Sequence, residues 1–149
     1  MQPYDERLTA PRSWWFLAVL TGVGCGLIAL PFGPLPLLGT FVGATALSCV
    51  VVSSYGSARI RVVAGSLVAG DARIPVSALG EAVELDREEA TAWRTYKADA
   101  RAFMLLRSYV PTALKVEVSD PADPTPYLYL STRSPKRLAD ALRKVTAAS

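Results

Sequence analysis

The sequence predicts an α+β membrane protein: a two-helix transmembrane hairpin, then a small antiparallel β domain closed by a C-terminal amphipathic helix. Three observations carry this. No charged residue lies between Ser13 and Ala58. From Arg59 onward charge returns, and short stretches alternate polar with apolar residues. Near the end, Ser134-Pro135 opens a run with apolar residues at helical spacing. The chain of 149 residues is long enough for about one domain. It divides into a segment over 1–12, a hairpin over 13–57 and a β-rich domain over 58–149.

The first apolar run spans about 13–30. That is close to the minimum for crossing about 30 Å of hydrocarbon. Trp14 and Trp15 stand at its start, where amphipathic rings favour the headgroup level. Pro31-Phe32-Gly33-Pro34-Leu35-Pro36 follows, and its prolines argue against regular helix there. The second span covers about 37–55 and ends on Tyr55, at the same interface as the tryptophans. A cleaved signal peptide fits poorly, because Gly33-Pro34 is a bad cleavage context and a second apolar run follows at once.

Arg7 and Arg12 flank the first span, Arg59 and Arg61 flank the second, and the turn between carries no charge. The positive-inside rule then places both termini in the cytoplasm and makes the chain a multi-pass protein of the inner (plasma) membrane. Gly22 and Gly26, and Gly39 and Gly43, are pairs four apart that let helix backbones approach closely. They are expected to pack the two helices together, and they also allow a homo-oligomer through one helix face. Cys25 and Cys49 do not fall opposite each other in an antiparallel hairpin, so no disulfide is expected between them.

In the aqueous part, Arg59–Val63 alternates as a half-buried strand does. Ala64-Gly65-Ser66 offers a turn and Leu67–Ala69 a return. Gly70-Asp71 turns again, Arg73–Val76 is extended, and Glu81–Asp86 alternates once more. Arg87–Ala100 has helix-favouring composition but also a strand pattern around Trp93 and Tyr96, and it stays open. Ala102–Val110 reads as strand, Ala113–Val118 as strand, 120–126 as a turn rich in Asp and Pro, and Tyr127–Leu130 as the returning strand. Ser134 caps a helix with Pro135 at its first position. Leu138, Ala141, Leu142 and Val145 form its apolar face. Strands closed by one terminal helix predict a small barrel or sandwich of pleckstrin-homology type. A split sheet with a packed helix is the alternative.

The chemistry is sparse. The chain has no histidine, which removes the usual zinc and triad arrangements, and no glycine-rich phosphate loop. No metal, cofactor or catalytic residue is assigned. The net charge of +3 is spread without the dense basic stripe of a nucleic-acid binder, so no nucleic-acid partner is expected. Asp120 and Asp123 could form a polar site with Arg133 across the last hairpin, although turn chemistry explains the same residues. Asp99, Arg101 and Arg107 form a second candidate, with Arg107 inside an apolar run and in need of a partner if buried. Arg59, Arg61, Lys136, Arg137, Arg143 and Lys144 could face anionic lipid.

Several stretches resemble a known family. They are Tyr4-Asp5-Glu6-Arg7-Leu8 ahead of Pro11-Arg12, Asp99 with Arg101-Ala102-Phe103 and Arg107, Asp120 through Tyr127, and Ser131-Thr132-Arg133. Together they resemble an actinobacterial family of small two-helix membrane proteins catalogued as a domain of unknown function. The resemblance implies two membrane helices and a small cytoplasmic domain, and it implies no activity. That family often has Trp after the late tyrosine; here Leu128 follows Tyr127, which weakens a ring-stacking role at that position. The expected function is a membrane-anchored module whose cytoplasmic domain binds a partner protein. A sensor of anionic lipid headgroups and an enzyme or enzyme subunit of the cell envelope are the alternatives.

Overall fold

The computed structural model describes residues 4–148 and divides into two units. One is helical and covers Thr9–Ala58. The other is α+β and combines the chain up to Leu8 with the chain from Arg59 onward.

In the helical unit, α1 spans Arg12–Ile28 and α2 spans Pro34–Tyr55, with a 3-10 turn at Leu30–Phe32. The sequence argues against helix through Pro36, yet Pro34 and Pro36 lie in the first turn of α2. The reason is that N–H groups in a first turn have no intrahelical carbonyl to reach, so proline loses nothing there. Gly33 takes φ 109, a conformation that side-chain-bearing residues rarely adopt, and joins the 3-10 turn to α2.

The two helices meet along Ala18, Gly22 and Gly26 of α1. A Cβ at Gly22 would collide with the Thr45 side chain, and one at Gly26 would stand 3.2 Å from Phe41 Cβ. Gly39 and Gly43 would meet nothing within 4 Å. The expectation that both glycine pairs pack the helices together therefore holds for the first pair and not the second. Cys25 and Cys49 are free. The Trp14 and Tyr55 rings stack, with centroids 5.5 Å apart and planes 7° from parallel.

The α+β unit contains two four-stranded sheets. The first runs in chain order: β1 (Tyr4–Arg7), β2 (Arg59–Val63), β3 (Ser66–Ala69) and β4 (Ala72–Pro75), each antiparallel to the next. The sequence leaves 1–12 outside the domain, but Tyr4 pairs with Val62 and Arg7 with Arg59. A strand of four mostly polar residues carries no periodicity by which to recognise it.

The second sheet holds β5 (Leu79–Leu85), β6 (Phe103–Leu105), β7 (Ala113–Val118) and β8 (Tyr127–Ser131), in the order β5-β7-β8-β6. Here the predicted all-antiparallel domain is corrected: β6 pairs with β8 in parallel. β8 inserts between β6 and β7, which run in opposite directions, so it must be parallel to one of them. Of the apolar run 102–110, only Phe103–Leu105 joins the sheet.

The open stretch after Arg87 resolves as helix α3 (Arg87–Arg94). Asp86 caps it by accepting the Glu89 N–H at 2.9 Å. Glu88 and Glu89 sit in the first turn, where the helix dipole favours negative charge. The last helix, α4 (Pro135–Ala147), buries Leu138, Ala139 and Leu142. Ser134 precedes it without a side-chain cap; its own N–H donates to Thr132 Oγ1 at 3.1 Å. Strand β8 is buried along its whole length. Leu114, Val116, Leu128 and Leu130 lie in the core, each buried apolar side chain being worth about 1.5–3 kcal/mol.

Candidate functional site

Strand β1 brings Glu6 against the chain that leaves β8. Thr132 Oγ1 and the Tyr4 hydroxyl, the latter at 2.7 Å, donate to Glu6 Oε2. The Arg133 N–H donates to Glu6 Oε1 at 2.9 Å. Thr132 is fully buried. Beside this cluster the Tyr109 hydroxyl donates to the Leu8 carbonyl at 2.8 Å. Burial first, and the Glu6 hydrogen bond second, hold the Tyr4 hydroxyl well above its ordinary pKa. Both carboxylate oxygens are engaged, so the arrangement clasps β1 to the start of α4. Two of the stretches behind the family resemblance, Tyr4–Leu8 and Ser131–Arg133, meet here.

A second junction forms around Tyr127. Its ring meets Trp93 edge-on, with centroids 5.3 Å apart and planes at 77°. Its hydroxyl accepts the Asp99 N–H at 3.0 Å. Lys115 Nζ lies 4.2 Å from the centre of the Trp93 ring and 5.4 Å from that of Tyr127, within cation–π range. Lys97 Nζ approaches Trp93 to 5.6 Å. The Arg101 guanidinium pairs with Asp99 at 3.1 Å, and its hydrogen bond holds the Asp99 carboxyl below its usual range. Tyr127 thus has ring partners although Leu128 follows it.

Asp99, Arg101 and Tyr127 therefore converge, and Arg107 does not join them. The Arg107 N–H donates to Ser131 Oγ at 3.1 Å and its guanidinium donates to the Leu106 carbonyl at 2.7 Å. Ser131 lies four positions after Tyr127 along β8, about 13 Å of extended chain.

The site predicted from Asp120, Asp123 and Arg133 is not assembled. Asp120 accepts the Ala122 N–H and Asp123 accepts the Thr125 N–H, each at 2.9 Å, so both carboxylates hold their own turn. The Thr125 bond lowers the Asp123 pKa. Arg133 lies past the other end of β8, about 20 Å along the strand. Its guanidinium carbon stands 6.0 Å from the centre of the Tyr109 ring. Among the described residues, no three His, Cys, Asp or Glu side chains group to hold a metal. Arg59, Arg61, Lys136, Arg137, Arg143 and Lys144 are all exposed, and Arg143 pairs with Asp140 at 3.2 Å.

Residues 3–142 match the family described as protein of unknown function (DUF3093). The chain belongs to that family. No curated protein and no solved structure matches it.

The family match in this DUF3093 chain runs through both units and ends inside α4. Glu6, Thr132, Trp93 and Lys115 take part in the two junctions, and none of them stands out in the sequence as a site residue. Glu6 and Thr132 lie in stretches that carry the resemblance, which is their only sequence signal; Trp93 and Lys115 lie in none of those stretches. Which stretch meets which follows from strand pairing.

Proposed function

We propose that this DUF3093 protein is a membrane-anchored interaction module. In this reading α1 and α2 cross the bilayer as a hairpin, as in the small two-helix membrane proteins of actinobacteria that the sequence resembles. The α+β domain then faces the cytoplasm and binds a partner protein. The observation that carries the proposal is the outward surface of the helical unit. Phe16, Ile28, Phe32 and Leu35 are each at least 69% exposed. Contiguous apolar surface of this kind needs a cover, and hydrocarbon is the cover that fits helices whose one charged residue, Arg12, stands at an end.

Helix α2, with 22 residues, is long and apolar enough to cross a membrane. Helix α1 has 17 residues, about 26 Å of rise, and is the shorter of the two. The 3-10 turn after it extends its apolar run toward the hydrocarbon thickness. The stacked Trp14 and Tyr55 rings suit an interface. The pleckstrin-homology-like description of the domain rests on the sequential first sheet and the terminal helix; the parallel β6 lies outside that pattern.

For the partner surface, the proposal points to the corner after α3. Tyr96 is 81% exposed there, close in sequence to Trp93, Asp99 and Arg101. Exposed aromatics flanked by charged groups are the usual anchors of protein interfaces. Carbonate extraction of cell membranes is the test. Retention of the full-length chain in the pellet supports the anchor, and release to the supernatant overturns it. A photo-cross-linking side chain at Tyr96 is expected to give a discrete protein adduct that the same group at Glu81 does not give.

A further inference from the structure

We infer that the outer face of the first sheet is a docking surface for anionic phospholipid headgroups, gripped by Arg7, Arg59, Arg61 and Arg73. The inference rests on the membrane reading of α1 and α2. Arg7 and Arg59 are register partners across β1 and β2, so their side chains leave the same face side by side. Like charges directly opposite in a sheet destabilise the pair, and a bound anion relieves that repulsion. The next row on this face reads Asp5, Arg61, Val68, Arg73 across all four strands. Four arginines thus share the face with one carboxylate.

All four arginines and Asp5 are exposed. None of the four makes an ion pair among the described residues, whereas Arg101 and Arg143 are each neutralised by a neighbouring aspartate. Asp71 lies in the β3–β4 turn, near the Arg59 end, without pairing to it. Strands stand about 4.8 Å apart, so Arg7, Arg59 and Arg61 start within about 8 Å of one another and Arg73 about 10 Å from Arg61. A flat array of cations matches a layer of anions better than one enclosed phosphate. The chain connections agree with this occupant. Residues 8–11 separate Arg7 from α1, and residues 56–58 separate Tyr55 from Arg59. Fully extended, these links span at most about 18 Å and about 14 Å, so both arginines are within reach of the headgroups beside the helix ends.

Phenylglyoxal modification of arginine in the full-length protein, read by mass spectrometry, tests this. The protein is reconstituted in nanodiscs of phosphatidylcholine alone or with phosphatidylglycerol, and exposed Arg87 on α3 is the internal standard. Phosphatidylglycerol is expected to lower the reactivity of Arg7, Arg59, Arg61 and Arg73 about fivefold or more relative to Arg87, with recovery in high salt. The double variant R61Q/R73Q is expected to bring the reactivity of Arg7 and Arg59 in phosphatidylglycerol most of the way back to its value in phosphatidylcholine. Equal reactivity in both discs overturns the inference. So does equal protection by inorganic phosphate added to phosphatidylcholine discs, which would mark a site for soluble anions. A chain that enters no disc overturns the membrane reading and this inference with it; entry without protection overturns this inference alone.

Discussion

The two units of the molecule invert each other's packing. Along α1 and its C-cap the buried positions are small: Ala18, Gly22, Gly26 and Ala29 lie inside, while Phe16, Leu20 and Ile28 face out. In the α+β unit the order is the ordinary one, with Leu, Ile and Tyr inside and charged residues outside. Water drives large apolar side chains inward in proportion to the area they hide. In a bilayer that drive vanishes between helices, and close backbone approach through small residues takes its place. If α1 and α2 lie in a bilayer as proposed, the same twenty amino acids are sorted by opposite rules within one chain.

Truncating one large side chain in each unit gives the sharpest contrast. Leu130 is fully buried in β8, and Leu130→Ala is expected to cost about 2–5 kcal/mol. Phe16→Ala, on the outward face of α1, is expected to change stability by less than about 0.5 kcal/mol in detergent. Urea titration of the full-length protein in mild detergent reads both, using near-ultraviolet circular dichroism. Comparable losses would mean that Phe16 is buried against protein, and the inversion would collapse.

Adding volume reverses the test. Gly22→Val must displace the Thr45 side chain and approaches the Phe41 carbonyl, at an expected cost of about 1–3 kcal/mol. Gly43→Val enters open space and is expected to be neutral. Thr45→Ala should recover part of the Gly22→Val loss, and it removes a buried hydroxyl that has no partner among the described residues. Thermal unfolding followed by tryptophan fluorescence orders the three variants. A Gly43→Val loss as large as that of Gly22→Val would place an undescribed neighbour against that face of α2.

How legible each part was depends on whether its information is local. Arg59–Val63, Ala113–Val118 and the helix from Pro135 announce themselves through their own alternation or spacing. Strand β1 does not, since four polar residues become a strand only through their pairing with β2. The sequence groups Asp99 and Arg101 with Arg107, and the structure keeps the first two together because they are two residues apart. The contact of Glu6 with Thr132 bridges a separation of 126 residues, and no pattern in either segment points to the other. Asp120 and Asp123 misled in the opposite sense: they resemble a site because turn-forming aspartates and binding aspartates are the same residue type.

The Glu6 clasp predicts an intermediate effect confined to the α+β unit. Glu6→Gln keeps the shape but weakens charge-assisted bonds from Tyr4, Thr132 and Arg133, at an expected cost of about 1–2 kcal/mol. The clasp also fixes an alkaline response. The Tyr4 pKa is raised on folding above its ordinary value of 10.0. The folded state therefore holds the proton more tightly, and its contribution is complete below about pH 10 and lost as pH climbs through the folded value. Tyr129 is shifted the same way by burial and shares this window. Tyr4→Phe is expected to flatten, without abolishing, the fall of stability above pH 10 in urea titrations. An unchanged slope would mean that the Tyr4 proton plays no part in it.

The smallest stability effect is expected at Asp99, and it separates folding from binding. Its pKa is lowered on folding by Arg101, so its contribution is present at neutral pH and lost as pH falls below the ordinary carboxylate range. The pair is exposed, and water and salt screen exposed pairs strongly. Asp99→Asn should therefore leave the urea midpoint at neutral pH almost unchanged. If the corner beside Tyr96 holds a partner protein, the same substitution should nonetheless reduce the cross-linked adduct formed from Tyr96, because interface charges set orientation and encounter rate even where they add little to folding. Loss of the adduct at constant stability would assign Asp99 to the interface. A full adduct would leave the carboxylate with Arg101 alone and move the search for the partner surface away from this corner.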